Sequence, residues 1–169
     1  MEMTWLAQDG DSEELMAVRE LAEQFRLAVD SDVVRAALGI IPAVGGSSHD
    51  VDEVIRPHAE ELGFSSQRKN LFAEYPVALR PDWYRALDGT GILLEIERGK
   101  TVTNNMDLLD LWKCHVCREA HHLFLVVPIS VRRTSGAERV YPRVVNRLST
   151  FFVAGNETNV RSVAILGYR

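Results

Sequence analysis

The sequence predicts an α/β sandwich: a mixed β-sheet with helices packed on its faces. Three observations predict it. Asp88-Gly89-Thr90-Gly91 reads as the turn of a β-hairpin between two strand-like segments. Asn104 to about Arg118 then places apolar residues at helical spacing. His122–Ile129 (HLFLVVPI) is a short, continuous apolar run, the pattern of a strand buried on both faces. A hairpin, then a crossover helix, then a buried strand puts helices on the faces of a mixed sheet.

Taken in chain order, residues 12–38 read as a helix. Ser12 caps it, and Asp11, Glu13 and Glu14 lie near the positive end of its dipole. Leu15, Val18, Leu21, Ala22, Phe25 and Val29 recur at helical spacing. Ile40 to Ser48, with Pro42 and Gly45-Gly46, reads as a loop, and Asp50–Leu62 as a second helix ended by Gly63. Pro57 marks a break or a first turn in it. A strand is expected near Asn70–Glu74, and Val77–Leu87 and Gly91–Arg98 are the hairpin strands. Thr103 or Asn104 caps the helix that follows, whose wide apolar arc runs through Met106, Leu108, Leu109, Leu111, Trp112 and Val116. A helix near Pro142–Phe152 and a strand near Val160–Tyr168 close the chain.

With 169 residues, the chain is expected to form one domain with a proper core. Apolar content of 46% and charged content of 25% are those of a globular protein. No window of 18 apolar residues exists, so no membrane span is expected, and the first residues lack the basic-then-apolar order of a signal peptide. Two cysteines three apart make no disulfide framework, and a reducing cytoplasm is the expected setting. The net charge of −5 hides an uneven distribution. Residues 1–63 carry 4 Lys/Arg against 14 Asp/Glu, residues 64–129 carry 8 against 8, and residues 130–169 carry 7 against 2. The basic last third suits nucleic acid, and the acidic first third must face elsewhere.

Folding the chain about the hairpin turn brings Asp82, in Arg80-Pro81-Asp82, roughly opposite Glu95–Glu97 on the neighbouring strand. Glu95 and Glu97 are two apart and share a side of that strand. Three converging carboxylates repel one another, and a bound divalent cation relieves that repulsion. Such a cluster suits phosphodiester cleavage. The pairing register is open by one residue at this stage.

Other chemistries find less support. Arg98-Gly99-Lys100-Thr101 resembles the tail of a phosphate-binding loop, but the glycine spacing is absent because position 94 is Leu, which excludes an NTPase. The segment still offers N–H groups and charge to a phosphate, assisted by Asn104 and Asn105 at a helix start. Cys114-His115-Val116-Cys117 beside His121-His122 has the residue types of a zinc site, but the pair sits inside a predicted helix and no second CxxC exists. Arg118 stands where a c-type haem site needs histidine, and no G-x-S-x-G occurs. Arg132, Arg133, Arg139, Arg143 and Arg147 are candidate phosphate contacts, with Arg143 and Arg147 four apart on one helix face.

Pro81-Asp82, a turn, Glu95-x-Glu97, a helix and a buried strand together resemble the PD-(D/E)xK superfamily of restriction endonuclease-like nucleases. The resemblance covers residues 50–129, about half the chain. It implies a restriction endonuclease-like mixed β-sheet flanked by helices. Residues 1–48 would be an N-terminal helical extension and residues 130–169 a basic C-terminal helix and strand. It also implies a Mg²⁺-dependent DNA endonuclease, with Mn²⁺ able to substitute. Asp82 and Glu95 would hold the metal. The superfamily lysine falls at position 97, which is Glu97 here, so the motif resembles an E-x-E variant. Glu97 would then serve as general base or third metal ligand, and Lys113, on the following helix, would replace the lysine, with Lys100 a nearer alternative in sequence. Glu60, Glu61 or Glu74 would supply the further acid often seen upstream. Arg98, Lys100, Asn104, Arg132, Arg133, Arg143 and Arg147 would contact DNA. A homodimer is expected of a double-strand cutter. The contrasting expectation is a catalytically inactive module on the same fold, binding nucleic acid or a protein partner. An RNA-directed nuclease is a third reading.

Overall fold

The computed structural model describes residues 1–8, 10, 12–41, 47–66, 75, 79–133 and 136–169. Its central sheet is built on three parallel strands, β4 (Thr90–Ile96), β5 (His122–Pro128) and β8 (Ser162–Tyr168), every residue of which is buried. Antiparallel strands complete both edges: β1 (Glu2–Ala7) beside β8, and β3 (Trp83–Leu87) then β2 (Ser65–Ser66) beside β4. The order is β1-β8-β5-β4-β3-β2. The fold is the expected mixed α/β sandwich.

The two-residue period of the strands divides the core. Ile92, Leu94 and Ile96 of β4, with Phe124, Val126, Ala164 and Leu166, face the helices α1 (Glu13–Val29), α2 (Asp32–Ile40) and α3 (Ser48–Glu61). Phe25, Phe64 and Phe124 meet there with ring centroids 5.8–6.3 Å apart. Leu93, Leu123, Leu125, Val127, Val163 and Ile165 face α4 (Met106–Val116) and α5 (Tyr141–Ser149). The same alternation turns Glu95 toward α4.

Several elements differ from expectation. The helix over 12–38 is two helices. Ser12 caps α1 as expected, but Asp30 ends it, and the Ser31 hydroxyl accepts from Val34 N–H to start α2. α3 starts two residues before the expected Asp50, with Ser47 as its cap. Asp50 is the third residue of a capping box, and Gly63, at φ 78°, follows the end of the helix. Pro57 is accommodated within α3. Neither Thr103 nor Asn104 caps α4. Asn105, in the left-handed region at φ 56°, precedes it after a run of turns closed by bonds such as Asn104 N–H to Lys100 C=O at 2.9 Å. The hairpin turn is Asp88-Gly89 alone, with Gly89 at φ 72°, while Thr90 and Gly91 enter β4. Edge strand β1 and the ribbon β6 (Ser130–Arg133)–β7 (Gly136–Arg139) have no counterpart in the sequence reading. The strand expected near Asn70–Glu74 lies outside the described residues. Among the described residues, no helix is long and apolar enough to cross a membrane.

Candidate active site

The register of the hairpin decides what its carboxylates can do. Trp83 pairs with Leu94, so Asp82 follows one step on, opposite Glu95. Asp82 N–H donates to Glu95 Oε2 at 3.3 Å, and Ile96 N–H donates to Asp82 Oδ2 at 2.8 Å. Glu95 is 3% exposed, while Asp82 keeps solvent access. Glu97 lies just past β4, where its N–H still reaches Val126 C=O at 2.8 Å and its C=O accepts from the Tyr168 hydroxyl at 3.1 Å.

The helix α4 supplies the other wall. Lys113 Nζ stands 3.0 Å from Glu95 Oε1 and 2.9 Å from Asp110 Oδ1. Asp107 and Asp110, both 0% exposed, share its face at helical spacing. Arg147 Nε approaches Asp107 Oδ2 at 3.4 Å. Asp110 is partnered by the Lys113 ammonium, and Asp107 by Arg147 and neighbouring backbone N–H groups.

The electrostatics record the crowding. Burial first, then Asp110 and Asp82, push the Glu97 carboxyl up to about 8, against the pull of Lys113. Burial lifts Asp110 to about 6, again opposed by Lys113. Burial and then Asp110 raise Glu95 well above the carboxylate range. Asp82 is raised by burial, opposed by the Ile96 N–H and Lys113. Burial disfavours the Lys113 ammonium, but Glu95 and Asp110 outweigh it and hold the lysine charged.

Asp82, Glu95 and Lys113 thus meet, and Glu97 joins them electrostatically. Two residues of this wall, Asp107 and Asp110, were not anticipated. Asp107-x-x-Asp110-x-x-Lys113 was a visible signal, a charged stripe on an otherwise apolar helix. Neither Glu60 nor Glu61 is near. Both are exposed at the far end of α3, and Glu74 lies outside the described residues. The acid that α3 brings close is Asp52, which accepts from Trp83 Nε1 at 2.7 Å and adds to the negative surroundings of Asp82.

The donor set is all oxygen, which fits Mg²⁺ or Mn²⁺. Asp110 Oδ2, enclosed and without a hydrogen bond, fits the same demand. Among the described residues, the trio whose donor atoms fall within 4.8 Å of one another is elsewhere: His49, Asp52 and Glu53 at the start of α3. Arg56 already pairs with both acids of that trio.

The expected phosphate contacts divide. Lys100, Asn104, Arg132 and Arg143 are exposed, Arg143 pairing with Glu138 at 3.0 Å. Arg133 is on β6. Arg98 bonds the Tyr168 hydroxyl. Arg147 turns inward instead, donating to Val102 C=O at 3.1 Å and Asn105 Oδ1 at 2.6 Å, so it pins the segment before α4. The cysteine–histidine group does not converge: Cys114 faces Ala120 C=O, His121 bonds Thr90, and His122 bonds Ser162 and Glu14.

The fold is similar to that of a restriction endonuclease. Restriction endonuclease BglII, solved in complex with a DNA 16-mer, superposes with a TM-score of 0.54 at 11% identity, covering 100% of this chain and 78% of that one. At that identity the likeness concerns the fold. No family model and no curated protein sequence matches the chain.

Proposed function

We propose that this chain is a divalent-cation-dependent endonuclease that hydrolyses phosphodiester bonds in DNA. The observation that supports the reading is the pairing of Asp82 with Glu95, with Lys113 on Glu95, at one end of a restriction endonuclease-like sheet. Asp82, Glu95 and Glu97 would hold Mg²⁺ or Mn²⁺. When bound, such an ion polarises the scissile phosphate and lowers the pKa of the attacking water. As an alternative to ligating the ion, Glu97 would take the proton from that water. Lys113 stands for the lysine absent from the E-x-E spacing and offsets charge developing on the phosphate. Exposed Arg132, Arg143 and Lys100 contact the DNA backbone and make binding salt-dependent. A symmetric dimer would cut both strands.

Plasmid cleavage tests the reading. Metal-dependent nicking or cutting is expected of the wild type, with activity reduced by a factor of about 10³ or more in Asp82→Ala and in Glu95→Ala. Cleavage that survives both substitutions refutes it. One observation favours a second reading, an inactive module on the same fold: Lys113 already neutralises Glu95 and Asp110 internally. No cleavage and no Mn²⁺ binding would select that reading.

A further inference from the structure

The acids around Lys113 outnumber the cations. Among the described residues, Glu95 and Asp110 share Lys113 and Asp107 pairs with Arg147, while Asp82 and Glu97 add further negative charge nearby. Burying unmatched carboxylates is costly, and natural proteins pair them or use them to coordinate metals. Arg147 serves Asp107 and is itself tied to Val102 and Asn105. Asp110 shares its cation, because Lys113 also serves Glu95. It is 0% exposed, and its Oδ1 lies 2.9 Å from Lys113 Nζ. Its Oδ2 is sealed from water and unbonded. Lys113 Nζ stands between Glu95 Oε1 and Asp110 Oδ1, at 3.0 and 2.9 Å, so these two carboxylates flank one position.

The geometry points to Asp110 as a fourth carboxylate ligand of the divalent cation, with Lys113 as an internal counter-ion that holds Glu95 and Asp110 until the cation replaces it. This rests on the cation-site reading above. A lysine ammonium suits the part. It is a compact point charge on a flexible stem and exchanges partners without rearranging the backbone. Once displaced from Glu95 and Asp110, the ammonium is free to meet an anionic phosphate. The role assigned to Lys113 and the cation requirement are then two sides of one exchange.

Calorimetric titration with Mn²⁺ alone, at fixed pH and without nucleic acid, tests this with a readout independent of cleavage. Asp110→Asn is expected to weaken Mn²⁺ binding at least about tenfold, which is about 1.4 kcal/mol. Lys113→Met, which removes the competing ammonium, is expected to tighten it and to show a larger Mn²⁺-induced rise in melting temperature. The double variant separates a ligand from a residue that only positions Lys113. If Asp110 is a ligand, Asp110→Asn still weakens binding tenfold in the Lys113→Met background. If it only positions the lysine, its effect vanishes there, and the inference fails. Wild-type binding that is unchanged in Asp110→Asn also overturns it while leaving the cation site intact. Absence of Mn²⁺ binding by the wild type refutes the cation-site reading itself. If Asp110→Asn does not fold, Lys113→Met decides alone, and unchanged or weaker Mn²⁺ binding overturns the proposal.

Discussion

Replacing Glu97 with glutamine stabilises the metal-free protein, and the gain grows with pH. The carboxyl has an ordinary value of 4.5 and stands at about 8 in the folded chain, raised by burial and then by Asp110 and Asp82. A carboxyl with a raised folded pKa keeps its proton in the native state after the unfolded chain has lost it. Stability therefore falls as pH rises from about 4.5 to about 8. At roughly 1.4 kcal/mol per pH unit, the loss is about 2 kcal/mol near pH 6 and at most about 5 kcal/mol above pH 8. Glutamine keeps the shape and never charges. Urea denaturation of wild type and Glu97→Gln near pH 6 and near pH 9 measures the effect. The advantage of the variant is expected to widen by about 2–3 kcal/mol between the two. An equal difference at both pH values, or a less stable variant near pH 9, refutes the crowding of negative charge at this site. Saturating Mn²⁺ is expected to shrink the advantage, because the ion matches charge that glutamine lacks.

Three further outcomes follow from other parts of the structure. Arg147→Ala strands the buried Asp107 and releases the segment before α4. A loss of about 2–4 kcal/mol in urea is expected, and less than that when Asp107→Asn is added. His122, between Ser162 and Glu14 with Arg161 and His121 nearby, is lowered to about 4 by burial, against the pull of Glu14. A histidine with a depressed folded pKa leaves stability intact above about pH 6.5, and stability declines as pH falls toward 4. The loss is about 3 kcal/mol, and His122→Gln is expected to flatten that part of the pH–stability curve. Ser47→Ala removes the capping box of α3 and is expected to lower stability by about 1 kcal/mol in thermal or urea unfolding.

Much of the fold was legible because its signals are local. The apolar run of β5, the helical spacing of α4 and α1 and the Asp-Gly turn each act within a few residues. The edge strand β1 and the polar ribbon β6–β7 were not legible. Their pairing is with partners elsewhere in the chain or with each other, and neither carries a strong apolar alternation. The break at Asp30–Ser31 was overlooked because the apolar spacing continues through it, although Ser31-Asp32 is itself a local start signal, the Ser31 hydroxyl accepting from Val34 N–H.

At the candidate site, the sequence by itself determined that Asp82, Glu95 and Glu97 belong to one hairpin and that Lys113 follows on a helix. Turn length and two-residue alternation dictate that much. The tertiary structure decided the rest. It set the register that puts Asp82 opposite Glu95, turned α4 so that Asp110 and Lys113 close over Glu95, and drew Arg147 inward to Asp107. It also brought Asp52, rather than Glu60 or Glu61, near Asp82. The physical reason is that charge acts through space. Whether a carboxylate is solvated or crowded depends on which neighbours the packing delivers, and spacing along the chain does not record that.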